Sequence, residues 1–142
     1  MATIKTTFTC VGTNVSSINS ISISPTAKSI TVNDPESVGV NDVANSTQFV
    51  ILPIATNASG TWVYVENAMT SGTDKIFIEN WIATSEATGS GTWIKTQALQ
   101  PGEFAFFHAA SAAETGVSDA RGVRVNNSAG KTMTVKYARF SR

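Results

Sequence analysis

The sequence predicts an all-β chain: a single-domain antiparallel β-sandwich of about eight to ten short strands, with the jelly roll among the topologies that fit. Three observations carry that. The 142 residues hold 13 Val and 11 Ile but only 2 Leu, and β-branched side chains suit a pleated surface better than a helix. Apolar residues recur at every second position in several short runs. Between those runs stand Gly, Asn, Pro and Ser, the residues that turns require.

Taken in order, Ile4, Thr6, Phe8 and Cys10 share one face of a candidate first strand. Residues 18–24 alternate Ile with Ser until Pro25 stops them, and residues 29–32 set Ile30 and Val32 in phase. Residues 33–46, with Asp34-Pro35-Glu36 and several Asn, read as a loop. Residues 48–54 form a compact apolar run in which Pro53 marks an end or an edge position. Ser-Gly-Thr then occurs three times, at Ser59-Gly60-Thr61, Ser71-Gly72-Thr73 and Ser90-Gly91-Thr92. Each copy introduces a strand-like run, the first two closing on Glu66-Asn67 and Glu79-Asn80, which reads as a meander of hairpins. Pro101-Gly102 suits the centre of a type II turn and feeds the apolar run Phe104-Ala105-Phe106-Phe107-His108. Residues 109–118 have room for one helical turn. Val123 and Val125 then alternate with Arg124, residues 126–130 turn, and residues 132–140 make the last strand with Met133, Val135 and Tyr137 on one face. One domain spans residues 1–142, in which residues 1–59 either join the sandwich or form an N-terminal docking arm.

Composition narrows the function classes. Net charge is zero and only 14% of residues are charged, which argues against a nucleic-acid binder working by bulk electrostatics. One Cys and one His supply neither an intrachain disulfide nor a His/Cys zinc site. No apolar run reaches the length of a membrane helix, and the first residues lack a hydrophobic signal core. No catalytic, cofactor-binding or metal-binding set emerges. His108 lacks a serine elbow or a second His, Cys10 lacks a cationic neighbour, and the four Asn-X-Ser/Thr sequons match chance in a Ser/Thr-rich chain. Asp34, Glu36 and Asp42 fit no EF-hand spacing. Glu66 and Glu79 close similar strands, so a carboxylate pair of the glycosidase kind would require them near each other in a cleft.

Charge is unevenly placed. Residues 1–60 sum to −1 and residues 61–120 to −5, whereas residues 121–142 carry six cations and no acid. Two explanations compete: cross-strand pairing within one chain, or contact between the basic terminus and an acidic patch on another subunit.

The second half of the chain resembles small all-β structural proteins of tailed-bacteriophage virions. The resemblance lies in Gly91-Thr92-Trp93-Ile94, in Leu99-Gln100-Pro101-Gly102-Glu103-Phe104 before an aromatic strand, in Val123-Arg124-Val125, and in the terminal Thr-Met-Thr-Val-Lys-Tyr at residues 132–137. It covers about residues 60–142. It implies a non-enzymatic capsid decoration (cement) or accessory protein, made in the host cytoplasm and carried on the virion. Such a protein is homo-oligomeric, trimeric in many cases, with the major capsid protein or another virion protein as partner and neither nucleic acid nor membrane. Interface candidates are the anchors Trp62, Trp81, Trp93, Phe104 and Phe107 and the cations Arg121, Arg124, Lys131, Arg139 and Arg142. The rival expectation is a carbohydrate-binding or lectin-like sandwich with Trp62, Trp81 and Trp93 as stacking platforms, which needs those rings exposed in a row.

Overall fold

The computed structural model describes residues 2–6, 28–32, 35–55, 61–84, 90–109 and 121–141. They form ten strands: β1 (Ala2–Thr6), β2 (Lys28–Val32), β3 (Pro35–Val43), β4 (Thr47–Ala55), β5 (Thr61–Asn67), β6 (Ile76–Ala83), β7 (Gly91–Leu99), β8 (Phe104–His108), β9 (Arg121–Asn127) and β10 (Met133–Ser141). Strands β1 and β2 pair as a separate antiparallel ribbon, with Ala2 opposite Val32 and Thr6 opposite Lys28. The other eight make two four-stranded sheets, ordered β3-β10-β5-β8 and β4-β9-β6-β7.

That order is a jelly roll. The first strand of the eight pairs with the last, the second with the seventh, the third with the sixth and the fourth with the fifth, as in a long hairpin rolled across two layers. The all-β sandwich expected from the sequence is therefore the fold. The expected meander is not. Among the described strands of the sandwich only β6 and β7 pair as sequential neighbours, because β5 belongs to the opposite sheet and pairs with β8 and β10. The Glu79-Asn80 pair stands inside β6 rather than at its end.

The core fills the space between the layers. Val63 and Val65 from β5, Ile76 and Ile78 from β6, Val123 and Val125 from β9, and Met133 and Val135 from β10 are fully buried and come from strands of both sheets. In β5, and in β9 from Val123 onward, alternate positions are buried, as period-two patterning requires. In β4, Ile51 and Leu52 are buried although adjacent, because the register slips between Val50 and Leu52. Pro53 follows in this edge strand, beside a second slip before Ala55, where its missing N–H breaks no regular ladder.

Residues 33–46 overturn the loop expectation, since β3 occupies most of them. The pattern is inverted. Its inner-face positions are Ser37, Gly39 and Asn41, opposite Arg139, Tyr137 and Val135, while Val38 and Val40 face outward and are 65% and 64% exposed. Gly39 is small for a reason: a Cβ there would lie 2.9 Å from the Tyr137 hydroxyl, whose ring packs edge-on to Phe49 across the core. The type II turn is as expected, with Gly102 at φ 80° and Glu103 N–H donating to the Gln100 carbonyl at 3.0 Å. Expected strands at residues 18–24, the face shared by Phe8 and Cys10, and the helical turn after residue 109 lie outside the described residues.

Two buried asparagines close one end of the sandwich. Asn67 ends β5 and donates from Nδ2 to the Leu99 carbonyl (3.0 Å) and the Asp74 carbonyl (3.4 Å), while its Oδ1 accepts from Met69 N–H. Asn127 ends β9 and donates to the carbonyls of Val43 and Lys131, both at 2.7 Å, while its Oδ1 accepts from Ala129 N–H. Replacing Asn127 by Ala removes these partners from buried backbone groups and is expected to destabilise by about 3 kcal/mol, read as a lower midpoint in urea unfolding. At the β3–β4 turn, Ser46 holds φ at 58°, a left-handed conformation that disfavours a Cβ. Ser46→Gly is expected to raise stability by about 0.5 kcal/mol in the same assay.

Candidate functional site: the outer face of the first sheet

Strand register arranges the outer face of β3-β10-β5-β8 in rows. One row runs Val40, Lys136, Glu66, Phe104; the next runs Val38, Ala138, Tyr64, Phe106. A third holds Phe140, Trp62 and His108. Most of these positions are apolar, where an exposed sheet face would ordinarily be polar. Phe104 is 62% exposed, and with Val38 and Val40 it borders a broad concavity of about 1260 Å³. A contiguous apolar surface of this kind is uncommon on a solvated sheet face.

The face has relief. On β5 and β8 the rings stand together: Trp62 stacks on Phe106 with centroids 5.2 Å apart, and Tyr64 on Phe104 at 5.8 Å. His108 leans on Trp62 at 4.9 Å. On β3 and β10 the first two rows carry only Val and Ala beside Lys136, while the third places Phe140 on β10. In the first two rows the aromatic half is therefore high and the aliphatic half low.

One charged cluster sits in the first row. Lys136 Nζ lies 2.9 Å from Glu66 Oε1, and the Tyr64 hydroxyl donates to Glu66 Oε2 at 2.6 Å. The Tyr64 hydrogen bond, then that of Lys136, holds the Glu66 carboxyl below its ordinary range. Burial, with the adjacent carboxylate, pushes Tyr64 up to about 12.

The outer face of the second sheet is built differently. Glu79, 3% exposed, accepts from Arg124 Nε at 2.6 Å and from Asn126 Nδ2 at 2.7 Å. Arg124 also donates to Gln48 and lies 4.4 Å over the Trp93 ring, which meets Trp81 edge-on. Lys95 covers Phe77 at 4.4 Å. Here Glu79, Arg124, Asn126 and Gln48 are paired with one another, and the Trp93 and Phe77 rings lie under cations. A smaller recess of about 190 Å³, lined by Asn80, Thr96, Phe107 and Arg121 among others, draws on strands of both sheets.

These arrangements sort the sequence candidates. Trp62 and Phe104 lie on the apolar face, Trp81 and Trp93 on the opposite side of the sandwich, and Phe107 packs against the core. No row of three tryptophans exists. Trp62 and Tyr64 have ring faces stacked on phenylalanines, and Trp93 has one under Arg124, so a sugar-stacking platform finds little support. Arg124 and Lys131 form ion pairs with Glu79 and Asp74, and Lys136 with Glu66, which favours pairing within the chain for the basic terminus. Arg139 donates to the Ile51 carbonyl of the other sheet at 3.3 Å, and Arg121 is half-buried. Arg142 lies outside the described residues, as do Asp34 and Cys10. Glu66 and Glu79 stand on outer faces of different sheets with the core between them, so they do not form a carboxylate pair. Among the described residues no three His, Cys, Asp or Glu side chains come together as a metal set.

Val38, Val40, Tyr64, Phe106, Ala138 and Phe140 were not legible as site residues. Val38 and Val40 fell in the apparent loop, and the run at residues 104–108 does not show which phenylalanines face out. The available signal was register: placing Phe107 opposite buried Val63 puts Phe106 outside.

No family model, curated protein or solved structure matches this chain.

The Tyr64–Glu66 contact has a pH signature. A depressed Glu66 contributes stability above its unfolded pKa and loses it as pH falls through the folded one. Raised Tyr64 contributes below about pH 10 and loses its part as pH rises through about 12. Ultraviolet titration of tyrosinate is expected to show a late phase with a midpoint near 12, absent from Tyr64→Phe.

Proposed function

We propose that this chain is a non-enzymatic structural protein that works by sheet-face contact, and that its setting is a tailed-bacteriophage virion, as a capsid decoration protein. The observation that carries the contact part is the outer face of β3-β10-β5-β8, with Val38, Val40 and Phe104 each more than 60% exposed on one surface. A sandwich that keeps three large apolar side chains in water on one face, yet pairs its charges on the other, has a surface suited to burial by a partner. The jelly roll is compatible with this role, since capsid domains use it, but so do lectins and cupins, and fold alone does not choose. The virion setting rests on the resemblance in residues 60–142. Partners on this reading are further copies of the chain and a capsid protein.

Particles assembled with the chain are the test. The wild-type chain is expected to sediment with purified virions at about 0.15 M salt, near physiological ionic strength. The variant V38E/F104E is expected to remain folded, because both side chains are exposed, and to lose most of its retention. Absence of the wild-type chain from purified particles would sink the virion setting. Equal retention of V38E/F104E would sink the role of this face.

A further inference from the structure

We infer that the occupant of the apolar face is a second copy of this chain, docked face to face about a two-fold axis that runs parallel to the strands. The inference rests on the contact reading of that face and names its partner.

A two-fold axis in the interface plane and along the strands keeps each row on itself and reverses the strand order across it. Val40 then meets Phe104 of the other copy, and Val38 meets Phe106. Ala138 meets Tyr64, and Phe140 meets Trp62. In the first two rows high aromatic positions of one copy fill low aliphatic positions of the other, in both directions at once, while in the third the rings of Phe140 and Trp62 meet. The first row gains a matched charge exchange: Lys136 of each copy faces Glu66 of the other, beside the existing 2.9 Å pair within each chain. An axis across the strands does the opposite. It sets Phe106 on Phe106 and Val38 on Val38, ring on ring and hollow on hollow, and lays Lys136 against Phe140. Relief and charge therefore both select the parallel axis.

Size agrees with a modest dimer. Four strands about 4.8 Å apart and five residues rising about 3.4 Å each make a patch of about 19 by 17 Å. With side-chain relief, two such faces cover about 1,000 Å² in total, below the usual range for stable complexes of about 1,200–2,000 Å². The dimer is expected to dissociate on dilution through the micromolar range. Lys136 is half-exposed at the edge of the patch, so the four-charge cluster is partly wet and sets register more than affinity.

Charge variants separate contacts between chains from contacts within one. Lys136→Glu gives a face with two acids, and Glu66→Lys a face with two cations. Each alone is expected to weaken dimerisation at least tenfold by sedimentation equilibrium, whereas a one-to-one mixture restores it to within about threefold of wild type. The swap E66K/K136E in one chain is expected to dimerise as wild type does, which controls for folding and for loss of the internal pair. A mixture that stays as weak as its components overturns the inference, because an effect confined to one chain cannot be repaired by another. So does a wild-type chain that stays monomeric at about 200 μM, above the micromolar range given by the area argument. If that chain is monomeric while V38E/F104E still loses particle retention, the contact reading stands and the second copy falls. If V38E/F104E is retained, the contact reading falls as well.

Discussion

Two amide side chains, Asn67 and Asn127, fix how the sheets of this protein sit on each other. Both are fully buried, both end a strand, and both reach across the sandwich: Asn67 from β5 to Leu99 of the second sheet, Asn127 from β9 to Val43 of the first. A buried amide must satisfy its donors and acceptor, and these satisfy them with backbone groups that would otherwise be orphaned. The core of Val and Ile is held by contacts that carry no direction, whereas the asparagine hydrogen bonds are directional and fix one alignment of the two sheets. Lys131 and Asp74 join the same two connections at 2.7 Å, with the lesser weight of an exposed pair. Arg139 adds a further tie from β10 to the Ile51 carbonyl.

With the sheets fixed from inside, their outer faces can be chemically different. On the second sheet, Glu79 is buried against the partly buried Arg124 and Asn126, so its charge is matched and its acceptors are occupied, and the exposed Gln48 accepts from Arg124. Phe77 and Trp93 lie beneath Lys95 and Arg124. Val50 is 47% exposed on the same surface. On the first sheet Lys136 and Glu66 are confined to the first row, the second row is aliphatic on β3 and β10 and aromatic on β5 and β8, and the third carries Phe140, Trp62 and His108. The asymmetry between the two faces, rather than any one residue, directs the functional proposal.

The sequence made the sandwich legible because most strands bury alternate β-branched residues, and the type II turn because Pro101-Gly102 has one obvious use. It misplaced the pairing for a physical reason. Local alternation says that a strand exists and is silent on which strand lies beside it, so Trp62-Val63-Tyr64-Val65 and Ile76-Phe77-Ile78 look like hairpin partners although they belong to opposite sheets. β3 was hidden because its alternation is inverted, with Gly39 and Asn41 inside and the valines outside. The apolar face was hidden with it, since a surface made of four strands distant in sequence has no local motif. Asn127 looked like an ordinary turn residue; the hydrogen bond its side-chain amide donates to the Val43 carbonyl spans 84 positions.

The inversion of β3 also bears on why the face exists. Ser37, Gly39 and Asn41 take up little room, and that room is used: Tyr137 passes over Gly39 to reach Phe49 on the other sheet. A strand whose inner positions must be small has lost the usual reason to alternate, but nothing in the core requires its outer positions to be valine. At an edge, Val38 and Val40 are a hazard, because exposed apolar edge strands invite uncontrolled pairing, and threonine or lysine there would remove it at no cost to the core. Valine at both positions is consistent with a surface meant to be covered. The Lys136–Glu66 pair beside them fits that view, since a charged pair at the margin of an apolar patch penalises misaligned partners while leaving the aligned one unopposed.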